Sequence, residues 1–412
     1  MVGIATGVFK KLAIKKQAGL KQKAPAGAAG SSRYMRRVTS TLDLNKANYQ
    51  SNEILESQQK RDMRHGVKSV AGSISGELSV GGYQQPFESV CRQVVQNAAT
   101  TGALATITAA VTAGAAGTFT RAAGSFLADG FKIGDVVRCA GWATTGVPNN
   151  AHNFIITNLT ALVMTVLALD GVPVGAKAAG DNVTITVVGK KTWMPANNQT
   201  RDYYTIEHWF GDIAQSEQYK DCVFTGFTVS LPPSGMATVE FPVMGLDMDT
   251  GVAQYFNAPQ AAPTGGILAA VNGVLLMNGA VAGIVTGMTI VVNGNYTAPG
   301  GVVGSNVDPD IFPGMLDVSG QLTVLFTDAT MRDAFLNETE SSLIGAFTAS
   351  NVAAADFTAF VMSRIKYTGA TKNDGNAGLT LTMPYVALEN VNGGAAVANL
   401  QTTLSIQDSQ FA

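Results

Sequence analysis

Residues 69–80 read SVAGSISGELSV, and the alternation within them decides the fold class. Ile74, Gly76, Leu78 and Val80 fall on one face; Ser73, Ser75, Glu77 and Ser79 fall on the other. A period of two marks a strand with one buried face and one wet face. Residues 315–326, MLDVSGQLTVLF, repeat the pattern, with Val318, Gly320, Leu322 and Val324 alternating around the same Ser-Gly-polar-Leu core. A helical spacing follows each copy. After the first, QQPFESVCRQVVQN aligns Phe87, Val90, Cys91, Val94 and Val95 and puts Pro86 in the first turn, predicting a helix over 86–97. After the second, TDATMRDAFLNETESSL offers Thr327 or Asp328 as a cap and aligns Met331, Phe335, Thr339 and Leu343, predicting a helix over 328–340.

Further strands extend the parallel. GMATVEFPVMGLDM (235–248) resembles GLTLTMPYVALEN (378–390), each opening on Gly and carrying a proline, Pro242 or Pro384, within an alternating run. Proline inside a strand fits an edge or a bulge. Upstream of each lies another strand, YYTIEHWF (203–210) or DFTAFVMSRI (356–365). Between Gly76 and Pro242 the first copy has about 100 residues more than the second has between Gly320 and Pro384. Residues 99–192 account for them as a small β unit of their own, with turns at Asp129-Gly130 and Asp170-Gly171. The expected organisation is mainly β and tandemly duplicated: a basic arm over 1–42, a discontinuous first unit over 43–98 and 193–260, an inserted β-domain over 99–192, and a second unit over 261–412. The insert is expected on the outside, where it would be dispensable for assembly.

Composition agrees with an all-β chain. Only 14% of its 412 residues are charged, and glycine is frequent, at 45 residues. The three cysteines, Cys91, Cys139 and Cys222, form no C-x-x-C pair, so neither a disulfide framework nor a zinc cluster is expected, and a reducing compartment is the simplest reading. No apolar run reaches membrane-spanning length, and no signal-peptide core follows Lys10 and Lys11. Charge is unevenly placed. Residues 1–42 hold nine basic residues and no acidic one, leaving 18 basic and 29 acidic residues in the rest, a net of −11. Val8, Phe9, Leu12, Ala13 and Ile14 interleave with the lysines, which favours an arm that packs over a nucleic-acid tail.

Catalytic chemistry has little to stand on. His65, His152 and His208 have no metal partner at ligand spacing, and no nucleophile elbow, phosphate loop or dinucleotide fingerprint is present. DMDTG (247–251) begins like a calcium loop but lacks the later ligands, and reads as a solvated turn. No catalytic, cofactor or metal residue is assigned, and an enzyme is not expected.

Residues 49–90 carry a more specific signal. Ser51-Asn52-Glu53, Arg64-His65-Gly66 and Gly72-Ser73-Ile74-Ser75-Gly76-Glu77-Leu78 together resemble the N-terminal signature of the tail tube proteins of long-tailed bacteriophages. The resemblance extends through YTIEHWF, LPPSGMATVEFPVMG, VVGSNVDPDIFPGMLDVSGQLTV and the terminal IQDSQFA. It implies a structural virion protein without cofactors, assembled in the host cytoplasm into stacked rings whose inner β-barrel passes DNA without specific binding. It implies as partners other copies of the chain and the tape measure, terminator and distal tail proteins, and no membrane. If each chain carries two tube units, three chains make a pseudo-sixfold ring in preference to a hexamer. Within that reading Ser75, Glu77, Ser79, Gln321 and Thr323 are lumen candidates, in an acidic or neutral bore. Lys10, Lys11, Lys15 and Lys16 are candidates for contacts between rings. The rival reading is a secreted or cell-surface β-sandwich adhesin or carbohydrate-binding protein.

Overall fold

The computed structural model describes residues 3–143, 149–283, 285–327, 329–374 and 378–412. Alternating sequences become antiparallel strands throughout, and two short helices interrupt them. The long strand Met63–Glu77 lies between Asp43–Gln50 and Thr238–Gly245. Pairing then continues from Thr238–Gly245 to Gly226–Leu231, to Val285–Asn293, to Asp317–Leu325, to Thr380–Ala387. These strands form one broad sheet. A second layer lies behind it in two parts. Lys10–Lys16, Tyr204–Phe210, Gln215–Phe224 and Asp247–Gly251 make one part. Gly273–Met277, Ser341–Thr348, Phe357–Tyr367, Ser405–Asp408 and Lys190–Trp193 make the other.

The main core fills the space between the layers. Ile74, Val239, Phe241, Phe227, Ile290, Leu322 and Met383 point into it from the broad sheet, and Tyr204, Phe224, Phe360, Met362 and Ile406 from the layer behind. The helix Gln84–Cys91 is interior, with Pro86 through Cys91 buried. Phe87 meets Phe227 and Phe241 edge-on at 5.0 and 5.3 Å and reaches Phe360 at 6.2 Å, so one ring joins both halves of the chain. Burial pushes the Cys91 thiol up to about 12. The expected helix over 86–97 stops at Cys91, because Arg92 takes a left-handed conformation at φ 55°. Its guanidinium donates to the Gly314 carbonyl at 2.8 Å, which holds that turn in place and keeps Val94 and Val95 off the helix. The second helix is also shorter, Thr330–Leu336, so Thr339 follows it and Leu343 stands on a strand. The alternative cap Asp328 lies outside the described residues.

The two halves share a register. In each, a strand of the rear layer crosses into the broad sheet: Phe224 pairs with Val243, and Tyr367 pairs with Tyr385. One extra residue is then accommodated before Thr228 pairs with Glu240, and likewise before Thr371 pairs with Thr382. These are bulges, and Pro242 and Pro384 sit opposite them. The Thr225 N–H and hydroxyl both donate to the Pro242 carbonyl, at 3.0 and 3.3 Å. Thr368 does the same to Pro384, at 2.8 and 3.3 Å. The glycine match read from sequence is four residues out of step. Gly72 lies opposite Val243 and Gly320 opposite Tyr385, each one residue past the proline, whereas Gly76 lies opposite Val239. A Cβ on Gly72 would meet the Thr41 carbonyl oxygen at 2.6 Å, and one on Gly320 would strike the carbonyl oxygen of Thr289. The two glycines serve the same close approach.

Residues 108–187 form a separate six-stranded sheet with its own core of Phe119, Trp142, Phe154, Met164 and Ile185. It is firmly docked. Val136 and Ile155 share an apolar seam with Leu276, Ile344, Ala346, Phe357, Ala359 and Val361 of the rear layer. Beside the seam Lys191 donates to both Asp135 oxygens at 2.9 Å. Gln407, in the terminal IQDSQFA, accepts from the Val136 N–H at 2.8 Å and donates to the carbonyls of Val136 and Val188 at 2.9 and 2.7 Å.

Candidate functional site

The candidate site is the open face of the broad sheet. Two rows of side chains cross it, following the strand register. One runs Ser75, Glu240, Thr228, Val291, Ser319, Val386. The other runs Glu77, Thr238, Ser230, Thr289, Gln321, Pro384. Their backs are Ile74, Val239, Phe241, Val229, Ile290 and Leu322, all buried in the core, so the pleat leaves the polar set facing outward. The rows carry two carboxylates, Glu77 and Glu240, and no lysine or arginine. Lys366, opposite Val386 at the sheet's end, lies 3.9 Å from Glu340. Such a surface offers hydroxyls and amides to water and repels polyanions weakly. Apart from Lys366 at that end, the two rows hold no cationic group with which to bind phosphates.

Four of the five lumen candidates share this face: Ser75, Glu77, Gln321 and Thr323, the last opposite Thr382. Ser79 does not. It is 2% exposed, beyond the end of the strand, and its hydroxyl has no partner among the described residues. Alternation carries on past Glu77 in sequence, but the strand ends there and turns inward to the helix. Sequence reading missed Glu240, Thr228 and Ser230. Their signal was present in TVEFPV and GFTVSL, where polar residues alternate with core residues.

The four basic candidates are placed on the far layer. Lys10, Lys11, Lys15 and Lys16 belong to a strand that pairs over its whole length with Tyr204–Phe210 of the same chain. Leu12, Ala13 and Ile14 are buried there. Lys15 donates to the Pro25 carbonyl and the Ser31 hydroxyl, at 2.9 and 3.0 Å, and Lys16 meets Asp202 at 2.8 Å. The segment is therefore a docked strand rather than a free arm, and any contact between rings would be made from that position. DMDTG is likewise a strand, not a turn. Asp247 and Asp249 share Lys220, at 3.0 and 2.7 Å, and bind Lys68 and Lys23, at 3.1 and 2.9 Å. These cations hold both carboxyls below their ordinary range despite partial burial.

Two buried acids fix the frame. Glu207 accepts from the N–H of Phe256 at 3.0 Å and of Tyr255 at 2.5 Å, anchoring the loop after Asp247–Gly251. Asp408 accepts from the N–H of Gly81 at 3.1 Å, from the Thr358 hydroxyl at 2.6 Å and from the Gln410 N–H at 2.8 Å. That side chain ties the chain's last strand to the turn after its first long strand, and burial pushes its carboxyl up to about 6. Among the described residues no group of three or more His, Cys, Asp or Glu is placed to hold a metal ion. No helix among the described residues is long and apolar enough to cross a membrane.

Comparison with known proteins agrees with this geometry. A search of the curated proteins finds no match. The sequence profile of a family described as phage tail tube protein matches residues 10–387, from the docked N-terminal strand to the last strand of the broad sheet. A mainly β chain matched over nearly its whole length, presenting a largely polar sheet face, belongs to the phage tail tube protein family and is a structural component of the virion tail.

Proposed function

We propose that three copies of this chain close into a ring, that rings stack into the tail tube, and that the polar sheet face lines the bore through which DNA leaves. The observation that carries this reading is the repeated register. Each half supplies a matching set of strands to the broad sheet, and Gly226–Leu231, at the edge of the first set, already pairs with Val285–Asn293, at the edge of the second. The chain thus contains one junction of a closed barrel and leaves both of its ends open. Six equivalent units close a ring at about 60° each, and three chains supply six units. A duplicated chain also loses less association entropy per unit than separate subunits do.

A closed barrel has no free edges, which suits a protein that must polymerise axially without aggregating sideways. Its wall would carry Glu77 and Glu240 once per chain, keeping the duplex mobile by weak repulsion. Assembly in the host cytoplasm and contacts with the tape measure, terminator and distal tail proteins follow from the same reading. The test is an electron microscopy reconstruction of tubes formed by the purified protein. Rows through Ser75 and Glu77 on the inner wall are the expected result; an inner wall lined by lysine and arginine would overturn it.

A further inference from the structure

The internal junction is also a template for the contact between chains. In it Gly226 pairs with Asn293, Thr228 with Val291 and Val229 with Ile290. The repeated register gives each partner a counterpart at an open edge. Thr371 stands to Thr382 as Thr228 stands to Glu240, so residues 369–373 match 226–230. Asp43 pairs with Ala71, just before Gly72, as Val291 pairs with Ser319, just before Gly320. Asn45 pairs with Ser69 as Asn293 pairs with Asp317, so residues 41–45 match 289–293. Among the described residues no strand covers the outer edge of either segment.

We infer that residues 41–46 of one copy pair antiparallel with residues 368–373 of the next, with Asp43 opposite Thr371, Leu44 opposite Ala370 and Asn45 opposite Gly369. The inference rests on the ring reading above and adds its register. Hydrogen-bond polarity agrees. The Thr41 N–H is spent on the Ser73 carbonyl of its own sheet, at 2.9 Å, so the amides of Leu42, Leu44 and Lys46 point outward. The Leu44 N–H is met by the adjacent Asp43 carboxylate at 2.7 Å, a stopgap that a neighbouring carbonyl replaces. The Leu42 carbonyl already accepts from the Tyr219 hydroxyl at 3.0 Å and keeps a second lone pair for the joint. At the internal junction the Gly294 N–H donates to the Thr225 carbonyl at 2.8 Å, and the equivalent bond runs from Lys46 to Thr368 of the next chain. Leu44 and Ala370, both half-buried against the main core, complete its apolar side, as Val292 and Phe227 do inside the chain.

Asp43 and Thr371 form a pair that exchanges no backbone hydrogen bonds, with Cα atoms about 4.5 Å apart, within reach of a disulfide. In one isolated chain they lie on opposite ends of the sheet and cannot meet. Tubes of the D43C/T371C variant should oxidise to covalent trimers, against a quiet background because Cys91, Cys139 and Cys222 are buried. The D43C/K372C variant, displaced by one residue so that the side chains face opposite ways, should stay monomeric. Amide hydrogen exchange of the unmodified protein gives a second readout, with protection at Leu42, Leu44 and Lys46 rising at least tenfold from monomer to tube. If the unmodified protein forms rings but neither the trimer band nor the added protection appears, the register is wrong and the ring reading stands. A ladder running to covalent hexamers would retain the joint and refute the three-chain ring. If the unmodified protein forms no rings, both fall.

Discussion

Asp408 shows how much one side chain carries. Its carboxyl titrates near 6 in the fold against about 3.9 in an unfolded chain. The folded state therefore binds the extra proton between those values, and this contribution to stability is full below about pH 4 and is lost as pH rises through 6. The size is on the order of 2–3 kcal/mol. Asp408→Asn should flatten that part of the stability–pH curve, measured by denaturant unfolding from pH 4 to 7; an unchanged slope would show that another group sets it. Gly320 and Gly72 are constrained differently, by backbone oxygens in the path of any Cβ. Gly320→Ala should cost about 1–3 kcal/mol by overpacking, read as a lower unfolding midpoint, while alanine at Gly378, which has open space around it, should cost far less. On the open face, Glu77→Lys with Glu240→Lys should leave the unfolding free energy within about 0.5 kcal/mol of the parent. If that face lines the bore as proposed, the same pair places phosphate-binding charge there and should slow DNA release from assembled particles, most at low salt. Release at the parent rate would remove charge from the account of the bore.

At the scale of elements, the inserted domain and the N-terminal strand are parts of the body. Removing residues 98–192 would uncover Leu276, Ile344, Ala346 and Val361. The sequence predicts an insert dispensable for assembly, but with this seam uncovered the expected product is an aggregating chain, which light scattering would show; a soluble monomer would mean that the seam is dispensable. The helix through Phe87 is the common pin of both halves, and Phe87→Ala should cost about 3–5 kcal/mol. Much of this was legible in advance. Period-two alternation predicts the strands around Ile74 and Leu322 because one face of each must be buried. The register was not legible from SGEL and SGQL alone. Residues 72–76 hold two glycines four apart on one face, and pairing, not local sequence, selects Gly72. The better signal was FTGFT at 224–228 beside YTGAT at 367–371, whose threonines and glycines recur at the bulge opposite each proline. The end of the first helix was hidden for a different reason. Arg92 is held left-handed by a carbonyl more than 200 residues away, which no local pattern reports.

At the scale of the whole molecule, the number of barrel units per chain sets the number of chains per ring. If one chain holds two barrel units, one finished junction and two unfinished edges, as proposed, its assembly should close after three chains and present six matching units to the next ring. Stacking then acts on a surface that repeats every 60° or so in shape but only three times per turn in chemistry, because the inserted domain belongs to one half alone. The docked lysines of the N-terminal strand would contribute from the outer layer, and their effect on stacking should fade with added salt. The measurement that tests this most directly is the mass of an isolated ring under native conditions. The account predicts three chains, about 128 kDa, which is three times 42.7 kDa; a ring of six chains, about twice that mass, would contradict it.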